Sequence, residues 1–205
     1  MSAKKIETQI RQEQIVQAGL SLVAGQGLKG LSMAGVASKV GLVPSAIYRH
    51  FKNKDQMLDA ILNLIRDKLM GNVRAICEET PYSLERLKRL LMRHSRLILE
   101  NQGIPRIVFS EDVYNGRPER KTRMYEIVRE HLDAVRDIVR QGQQEGIIRP
   151  EIDAGTVSVL FLGLIQPPMI LWHLSAGKFD LTRQAEEAWK IFSRAIVLQK
   201  PLPVA

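Results

Sequence analysis

The chain has 205 residues, of which 45% are hydrophobic and 25% charged, as expected of a folded protein with a sizeable core. Its single cysteine, Cys77, excludes a disulfide framework and a cysteine-based metal site within the chain. The polar N-terminus lacks the apolar core of a signal peptide, and together these features fit a cytoplasmic protein.

The net charge of +8 is concentrated at the start of the chain. Residues 1–54 contain eight basic and two acidic residues, whereas the other 151 residues contain 22 basic and 20 acidic ones. A positive field concentrated in this way suits a polyanionic partner. The alternative is a basic surface that serves only solubility.

The first predicted helix begins near Thr8 and carries an apolar stripe with polar residues opposite. Residues 1–7 precede it as an arm whose lysines could reach DNA phosphates. The segment GQGLKG at residues 25–30 satisfies the GxGxxG pattern of dinucleotide-binding proteins. That pattern requires a strand before it, whereas a helix precedes it here. We therefore interpret Gly27 as a helix stop and not as part of a nucleotide site.

The segment LSMAGVASKVGLVPSAIYRHF at residues 31–51 predicts two short helices joined by a tight turn. Ser32 can cap the first helix, and Gly41 can adopt the left-handed conformation that ends it. Pro44 suits the first position of the second helix, because its missing N–H is not needed there. This pattern is typical of a helix-turn-helix, whose second helix enters the DNA major groove.

The segment GLVPSAIYRHFKNKDQML resembles the recognition-helix region of TetR/AcrR-type transcriptional regulators. The positions that carry the resemblance are Gly41, Tyr48, Phe51 and Lys54. The resemblance is specific over roughly the first third of the chain and architectural beyond it. Val43 stands where a capping serine is usual, and Ala46 stands where threonine is frequent.

The resemblance implies an all-α fold with two parts. Residues 1–54 are expected to form a three-helix, helix-turn-helix DNA-binding domain. Residues 55–200 are expected to form a helical ligand-binding and dimerisation domain.

Hydrophobic periodicity predicts further helices after the helix-turn-helix. They are expected over Asp55–Cys77, Ser83–Leu99, Arg106–Val113 and Pro118–Gln144, and after the capping residues Asp153 and Asp180. The first of them begins in the DNA-binding part and can end in the next domain, so we interpret it as a mechanical lever.

No Lys, Arg, Asp or Glu occurs from Ala154 to Gly177, a stretch long enough to span a bilayer. It contains the adjacent Pro167 and Pro168, which interrupt a helix, and no basic cluster flanks it. We therefore expect a buried or interface segment and no membrane span. In the family the last two helices form the dimer interface, so the resemblance implies a homodimer through residues 153–176 and 181–198.

The predicted partner of the basic end is double-stranded DNA. Arg49 is best suited to reading guanine through a bidentate pair, and Ala46 could meet a thymine methyl. Tyr48 and Lys54 match family positions that touch the phosphate backbone, although a core or surface role stays open for Tyr48 and His50. The complete predicted set is Ser32, Lys39, Pro44, Ser45, Ala46, Tyr48, Arg49, His50 and Lys54.

The resemblance also implies a small-molecule effector bound inside the C-terminal helices. His94 and His131 fall on otherwise apolar helix faces, where a ligand or a buried partner must satisfy their polar atoms. Satisfied core histidines are the alternative. An apolar lining favours a hydrophobic or aromatic effector. The predicted lining residues are His94, Phe109, Tyr114, Tyr125, His131, Met169 and Trp172.

No metal, cofactor or catalytic site is predicted, because the four histidines share no short motif and neither HExxH nor GxSxG occurs. The sequence favours a transcriptional repressor that binds a palindromic operator as a homodimer and is released by a ligand. The first alternative is a DNA-binding protein of the same fold without an inducer, acting architecturally or through a protein partner. The second is a helical enzyme or scaffold whose basic end binds other anions.

Overall fold

The structure, a computed structural model, describes residues 3–198, except for the side chains of residues 3–7 and of Tyr114. Over this range it contains eleven α-helices and one short 3-10 helix but no β-strand, which confirms the all-α prediction. An isolated antiparallel bridge joins Ile148 to Val197. The side chains of the predicted N-terminal arm lie outside the described residues, as do the last residues of the predicted C-terminal domain.

The helices follow the order that the periodicity predicts. They are α1 (Ala3–Gln26), a 3-10 helix (Leu28–Gly30), α2 (Met33–Lys39), α3 (Pro44–Tyr48), α4 (Lys54–Glu79), α5 (Ser83–Glu100), α6 (Gly103–Val108), α7 (Glu111–Tyr114), α8 (Pro118–Gln144), α9 (Ala154–Gly163), α10 (Gln166–Leu174) and α11 (Leu181–Ile196).

Three elements differ from the prediction. Helix α1 begins at Ala3 and not near Thr8, and two short helices, α6 and α7, replace the single one expected around residues 106–113. The apolar segment is divided into α9 and α10, with prolines in the first turn of α10. A proline is tolerated at that position, so the pair starts a new helix instead of kinking a continuous one.

The segment Ala154–Leu174 is long and apolar enough to cross a membrane by length and composition alone, with a mean hydropathy of 1.7 over its most apolar window. Core helices of folded proteins pass the same test. Here one face of the segment is packed in the interior, since Phe161, Ile165 and Met169 are all buried. The segment therefore has the packing expected of a core helix pair on that face.

The chain forms two compact units. The first takes in the residues up to Lys68 together with Ile98–Ile127, and the second takes in Leu69–Leu97 and the residues from Val128 onward. The continuous helices α4, α5 and α8 contribute residues to both units. The predicted functional division at residues 54 and 55 stays a prediction.

The first unit packs α1 against α2 and against α6. Its core includes Ile15, Leu20, Ile47 and Ile61, none of which is more than 1% exposed. Gly103 of α6 lies so close to α1 that a Cβ at this position would be 2.4 Å from the Leu20 carbonyl oxygen. A side chain at residue 103 would therefore push α6 away from α1.

The second unit is built from the last 11 residues of α4, most of α5, the later part of α8 and all of α9–α11. Leu87 and Val135 are fully buried in it, and the rings of Phe161 and Phe192 meet edge to face with their centroids 5.8 Å apart. The end of α11 is fixed by backbone bonds, including one from the Leu198 N–H to the Ile147 carbonyl at 2.8 Å.

Candidate functional site

The helix-turn-helix is shaped by local interactions in its sequence. The Ser32 hydroxyl oxygen accepts a hydrogen bond from the Gly35 N–H at 3.1 Å, which caps α2 as predicted. Gly41 has a φ of 68°, the left-handed conformation predicted for it. Helix α3 begins at Pro44, and the preceding Val43 makes no side-chain capping bond, so this helix lacks the cap that serine would provide.

One side of α3 faces the interior. Ile47 is fully buried and Phe51 is 5% exposed, as their spacing predicts. Ala46 is also buried, at 7% exposed, which contradicts its predicted contact with a thymine methyl. Helices α2 and α3 pack directly against each other, and a methyl side chain suits such a close crossing. We therefore remove Ala46 from the set of DNA-facing residues.

The other side of α3 faces solvent. Pro44, Ser45, Tyr48 and Arg49 are exposed, and Tyr48 keeps 53% of its surface accessible, so it is not a core residue. His50 is half-buried, with its ring centroid 6.4 Å from that of Phe51. The exposed side of α3 therefore presents a hydroxyl, a phenol and a guanidinium group together.

Two further predicted contacts flank this surface. Ser32 and Lys39 are exposed at the two ends of α2. Among the described residues, neither Lys39 nor Arg49 forms an ion pair, so both cations are free to meet an anion. Free cations around a helix-turn-helix are the groups that a phosphate backbone requires.

Lys54 has an additional structural role that the sequence did not reveal. Its Nζ donates a hydrogen bond to the Leu28 carbonyl at 2.8 Å, which ties the start of α4 to the 3-10 helix. An ammonium group has three donors, so two remain for other partners. The predicted phosphate contact of Lys54 stays a prediction.

His94 of α5 and His131 of α8 lie against each other in the second unit. Their ring centroids are 5.2 Å apart and their planes are nearly perpendicular, at 85°. His131 is 2% exposed, whereas His94 is half-buried. The Nδ1 atom of His94 and both ring nitrogens of His131 are buried without a hydrogen-bond partner among the described residues. No described protein group therefore satisfies these three nitrogens.

The surroundings keep both imidazoles neutral. Burial lowers the pKa of His94 to about 3, and repulsion from His131 contributes to that shift. Burial also lowers the pKa of His131 to about 4. Each ring therefore offers one N–H donor and one bare nitrogen acceptor at neutral pH.

The other predicted lining residues divide between the units. Met169 and Trp172 are buried in the second unit, to which His94 and His131, here called the His pair, also belong. Phe109 and Tyr125 belong to the first unit and are 39% and 64% exposed. The side chain of Tyr114 lies outside the described residues. Tyr125 lies on α8 with most of its surface exposed, and its predicted place in the ligand lining stays a prediction.

The structure reveals a polar cluster that the sequence analysis missed, which we call the arginine ladder. Three arginines at or just before the start of α8 meet three acceptors in the first half of α4 within the first unit. The members of the ladder are Arg117 just before α8, Arg120 and Arg123 on α8, and Asp55, Asp59 and Asn63 on α4.

The ladder is centred on a buried arginine. Arg120 is 4% exposed, and it contacts Asp55 at 3.0 Å and Asp59 at 3.4 Å. Arg117 contacts the other Asp55 oxygen at 2.6 Å, and Arg123 donates to Asn63 at 2.8 Å. Asp55, Asp59 and Asn63 are four residues apart on α4, and Arg120 and Arg123 are three residues apart on α8, so each group shares one helix face. This spacing is the signal of the ladder in the sequence.

The last three helices leave apolar side chains uncovered. Seven large apolar residues on or just after α9–α11 are between 40% and 77% exposed. They are Val159, Leu160, Ile170, Leu171, Leu174, Ile191 and Leu198, and we call them the apolar face. Large exposed apolar patches are typical of a site for another protein or membrane, which makes these residues candidates for such a site.

A capped helix-turn-helix with an exposed recognition helix and free cations defines a DNA-binding protein, here joined to a larger helical unit. Residues 15–61 match the family described as bacterial regulatory proteins, tetR family, and residues 46–195 match the C-terminal region of YsiA-like proteins. The chain belongs to the TetR family of bacterial regulatory proteins and is a DNA-binding transcriptional regulator.

Individual relatives align over most of the chain. The nucleoid occlusion factor SlmA of Vibrio vulnificus is 26% identical over 188 residues, which cover 91% of this chain and 95% of that protein. The structure of the ketosteroid transcriptional regulator KstR2 of Mycobacterium tuberculosis has a TM-score of 0.71 at 22% identity, and the match covers 92% of this chain and 96% of that one. The structure of FadR from Bacillus subtilis in complex with stearoyl-CoA has a TM-score of 0.74 at 21% identity, covering 88% and 97%.

Proposed function

We propose that this protein is a cytoplasmic repressor that binds a palindromic operator as a homodimer and is released by a small apolar effector. The observation that carries the proposal is the exposed side of α3, where Ser45, Tyr48 and Arg49 are accessible while Ile47 is fully buried. A recognition helix needs this division, because one side must hold it on the domain while the other meets base edges.

The residues around α3 divide into base contacts and phosphate contacts. Arg49 reads guanine through its paired N–H donors, and Ser45 lies near the helix start, where base edges are reached. Ser32, Lys39, Tyr48 and Lys54 position the domain on the phosphates. Pro44 and the half-buried His50 lie beside these groups and complete the surface.

The apolar face supports a homodimer. It lies within residues 153–176 and 181–198, the segments that the family resemblance assigns to the dimer interface. A two-fold dimer presents two copies of α3 to half-sites one helical turn of DNA apart, so the operator becomes a palindrome.

The His pair and the relatives support a small-molecule effector. FadR of Bacillus subtilis is described in complex with stearoyl-CoA, and KstR2 is described as a ketosteroid regulator. Acyl-CoA thioesters and ketosteroids both combine an apolar skeleton with a carbonyl group. Helix α4 contributes to both compact units, so an effector bound by the second unit acts on the DNA-binding unit through a continuous helix.

A second function is favoured by a different comparison. The Vibrio relative that covers 91% of this chain is described as a nucleoid occlusion factor. In this alternative the chain binds DNA without a small-molecule inducer and acts through a protein partner. Binding of an effector that weakens operator binding would separate the first function from the second.

Selection of bound DNA from random fragments tests the proposed DNA recognition. We expect an enriched palindrome with two half-sites about 10 base pairs apart, centre to centre. The selected operator is then titrated with effectors to test release. If the selection enriches no palindrome, operator recognition is contradicted. If no apolar carbonyl compound weakens the operator complex, the second function is favoured.

The oligomeric state tests the dimer. Leu174→Glu places a charge on the apolar face at a residue that is 77% exposed. We expect light scattering to show a dimer for the wild type and a monomer for this variant, with weaker operator binding. Tyr82→Glu is the matched control, because Tyr82 is 66% exposed in the same unit but lies outside the face. A monomeric wild type would exclude the dimer.

A further inference from the structure

The His pair presents more unsatisfied polar atoms than any other place in the described residues. Three of the four buried side-chain atoms without a hydrogen-bond partner belong to His94 and His131, and the fourth is Nε of Arg136. Buried polar groups in folded proteins are nearly always paired, because an unpaired one loses its bonds to water without replacement. Three such atoms on two touching side chains indicate a place where a ligand completes the bonding.

The chemistry of the pair restricts the ligand. Neither ring is held as a cation by a nearby carboxylate, since burial is the main cause of both lowered pKa values and the only charge effect is between the two rings. A neutral pair supplies N–H donors without a fixed positive charge. A buried carboxylate would lack a counter-ion here, whereas a carbonyl oxygen needs only donors and accepts two hydrogen bonds.

We propose that His94 and His131 form the polar end of the effector site and bind the neutral carbonyl of an otherwise apolar ligand in preference to a carboxylate. This inference rests on the proposed effector function and specifies its ligand chemistry. The carbonyl could come from an acyl thioester or from a ring ketone, because both place an uncharged oxygen on an apolar skeleton.

The competing explanation is structural. Two rings 5.2 Å apart and nearly perpendicular also allow the edge of one ring to point at the face of the other. If the two histidines serve only to make this ring contact, replacing either one lowers the stability of the fold and leaves the preference for a carbonyl ligand unchanged. Stability and ligand preference must therefore be measured together.

The test uses the full-length protein, a thioester and a thioether that differ only at the carbonyl, a carboxylate and a ring ketone. The probes are the thioester S-ethyl dodecanethioate, the thioether dodecyl ethyl sulfide, dodecanoate and androst-4-ene-3,17-dione. Affinities are measured by calorimetry at neutral pH for the wild type, His131→Leu, His94→Leu and His131→Gln. Ser95→Ala is the matched control, because Ser95 is a buried neighbour whose hydroxyl already donates to the Leu91 carbonyl at 3.0 Å.

We expect the wild type to bind a carbonyl probe about tenfold more tightly than the thioether, as one or two hydrogen bonds to a ligand would give. Both leucine variants should lose this preference, His131→Gln should keep part of it, and Ser95→Ala should keep all of it. His-dependent binding of androstenedione alone would assign the carbonyl to a ring ketone, and binding of the thioester alone would assign it to an acyl chain.

Several results would overturn the inference. These are equal binding of thioester and thioether, tighter binding of dodecanoate, an unchanged preference in folded His131→Leu and His94→Leu, or no binding of any probe. Operator release is measured separately from binding. If a probe binds through His94 and His131 but does not release the operator, the proposed function is contradicted and this inference is not. If a probe releases the operator but binds equally well without the two histidines, this inference is contradicted and the proposed function is not.

Discussion

Arg120 and His131 lie on the same helix and are almost equally buried, but their bonding is opposite. Arg120 is 4% exposed and contacts two carboxylates, whereas His131 is 2% exposed and has no partner for either ring nitrogen. The same contrast holds between the compact units, since every buried unpaired side-chain atom among the described residues lies in the second unit. Buried polar side chains in this protein are therefore of two kinds, those with protein partners and those without.

In the first unit, buried polar groups fix structure. The arginine ladder joins α8 to α4, and Gln17 of α1 donates to Asn101 at 3.2 Å. In the second unit, the His pair is left without partners at a cost in stability.

The largest effect that this comparison predicts is the loss of stability when the Arg120 guanidinium is removed. Arg120→Met should lower the free energy of unfolding by about 2–3 kcal/mol, because it leaves two carboxylates short of a buried partner. Asp55 and Asp59 are 37% and 57% exposed, which limits the loss. Urea denaturation measures it. Lys121→Met, an exposed neighbour, is the control, and a midpoint equal to the wild type would show that the ladder does not stabilise the fold.

The pH dependence of stability is the second test of this comparison. The folded pKa values of the His pair are depressed to about 3 and about 4, below the ordinary value of 6.5. The unfolded chain therefore binds more protons below pH 6.5, so stability is complete above that pH and is lost as the pH falls. Each histidine contributes a slope of up to about 1.4 kcal/mol per pH unit below pH 6.5.

The control for this dependence is His131→Leu, which removes one of the two titrating groups. Its stability should fall less steeply than that of the wild type between about pH 6 and pH 5. At lower pH, carboxylates with lowered pKa values, such as Glu145 and Asp153, begin to contribute as well. Parallel curves for the two proteins would contradict the depressed pKa of His131.

The smallest predicted change in stability, that of His131→Leu, tests the contrast between Arg120 and His131 most closely. His131→Leu without ligand near pH 7.5 should leave the free energy of unfolding unchanged or raise it by up to about 1 kcal/mol, because an apolar side chain has no unpaired nitrogens. Thermal unfolding measures the difference. A clear loss of stability would mean that His131 already has a favourable partner, and the contrast with Arg120 would then disappear.

The local features of the helix-turn-helix could be predicted from sequence because each depends on adjacent residues. Ser32 caps α2, Gly41 ends it in the left-handed conformation, and Pro44 starts α3. The uncapped start of α3 at Val43 also follows from a side chain that cannot accept a hydrogen bond. These are properties of one turn of chain.

The features that could not be predicted depend on how distant segments pack. Ala46 is small enough for either side of α3, and only the crossing of α2 decides that it is buried. The residues around Arg120 carry no local signal that α4 places two aspartates beside it. The sequence placed His94 and His131 on apolar faces, but their contact and their lack of partners required the fold.

The central claim is that α3 reads DNA through Arg49, and fluorescence anisotropy with the selected operator tests it most directly. Arg49→Ala should weaken operator binding by about 1–3 kcal/mol, or roughly 5- to 150-fold, and should reduce the preference over unrelated DNA. Lys54→Ala should weaken binding to all sequences alike, and Lys178→Ala in the second unit should change neither. Equal operator affinity for the wild type and Arg49→Ala would contradict the assignment of α3 as the recognition helix.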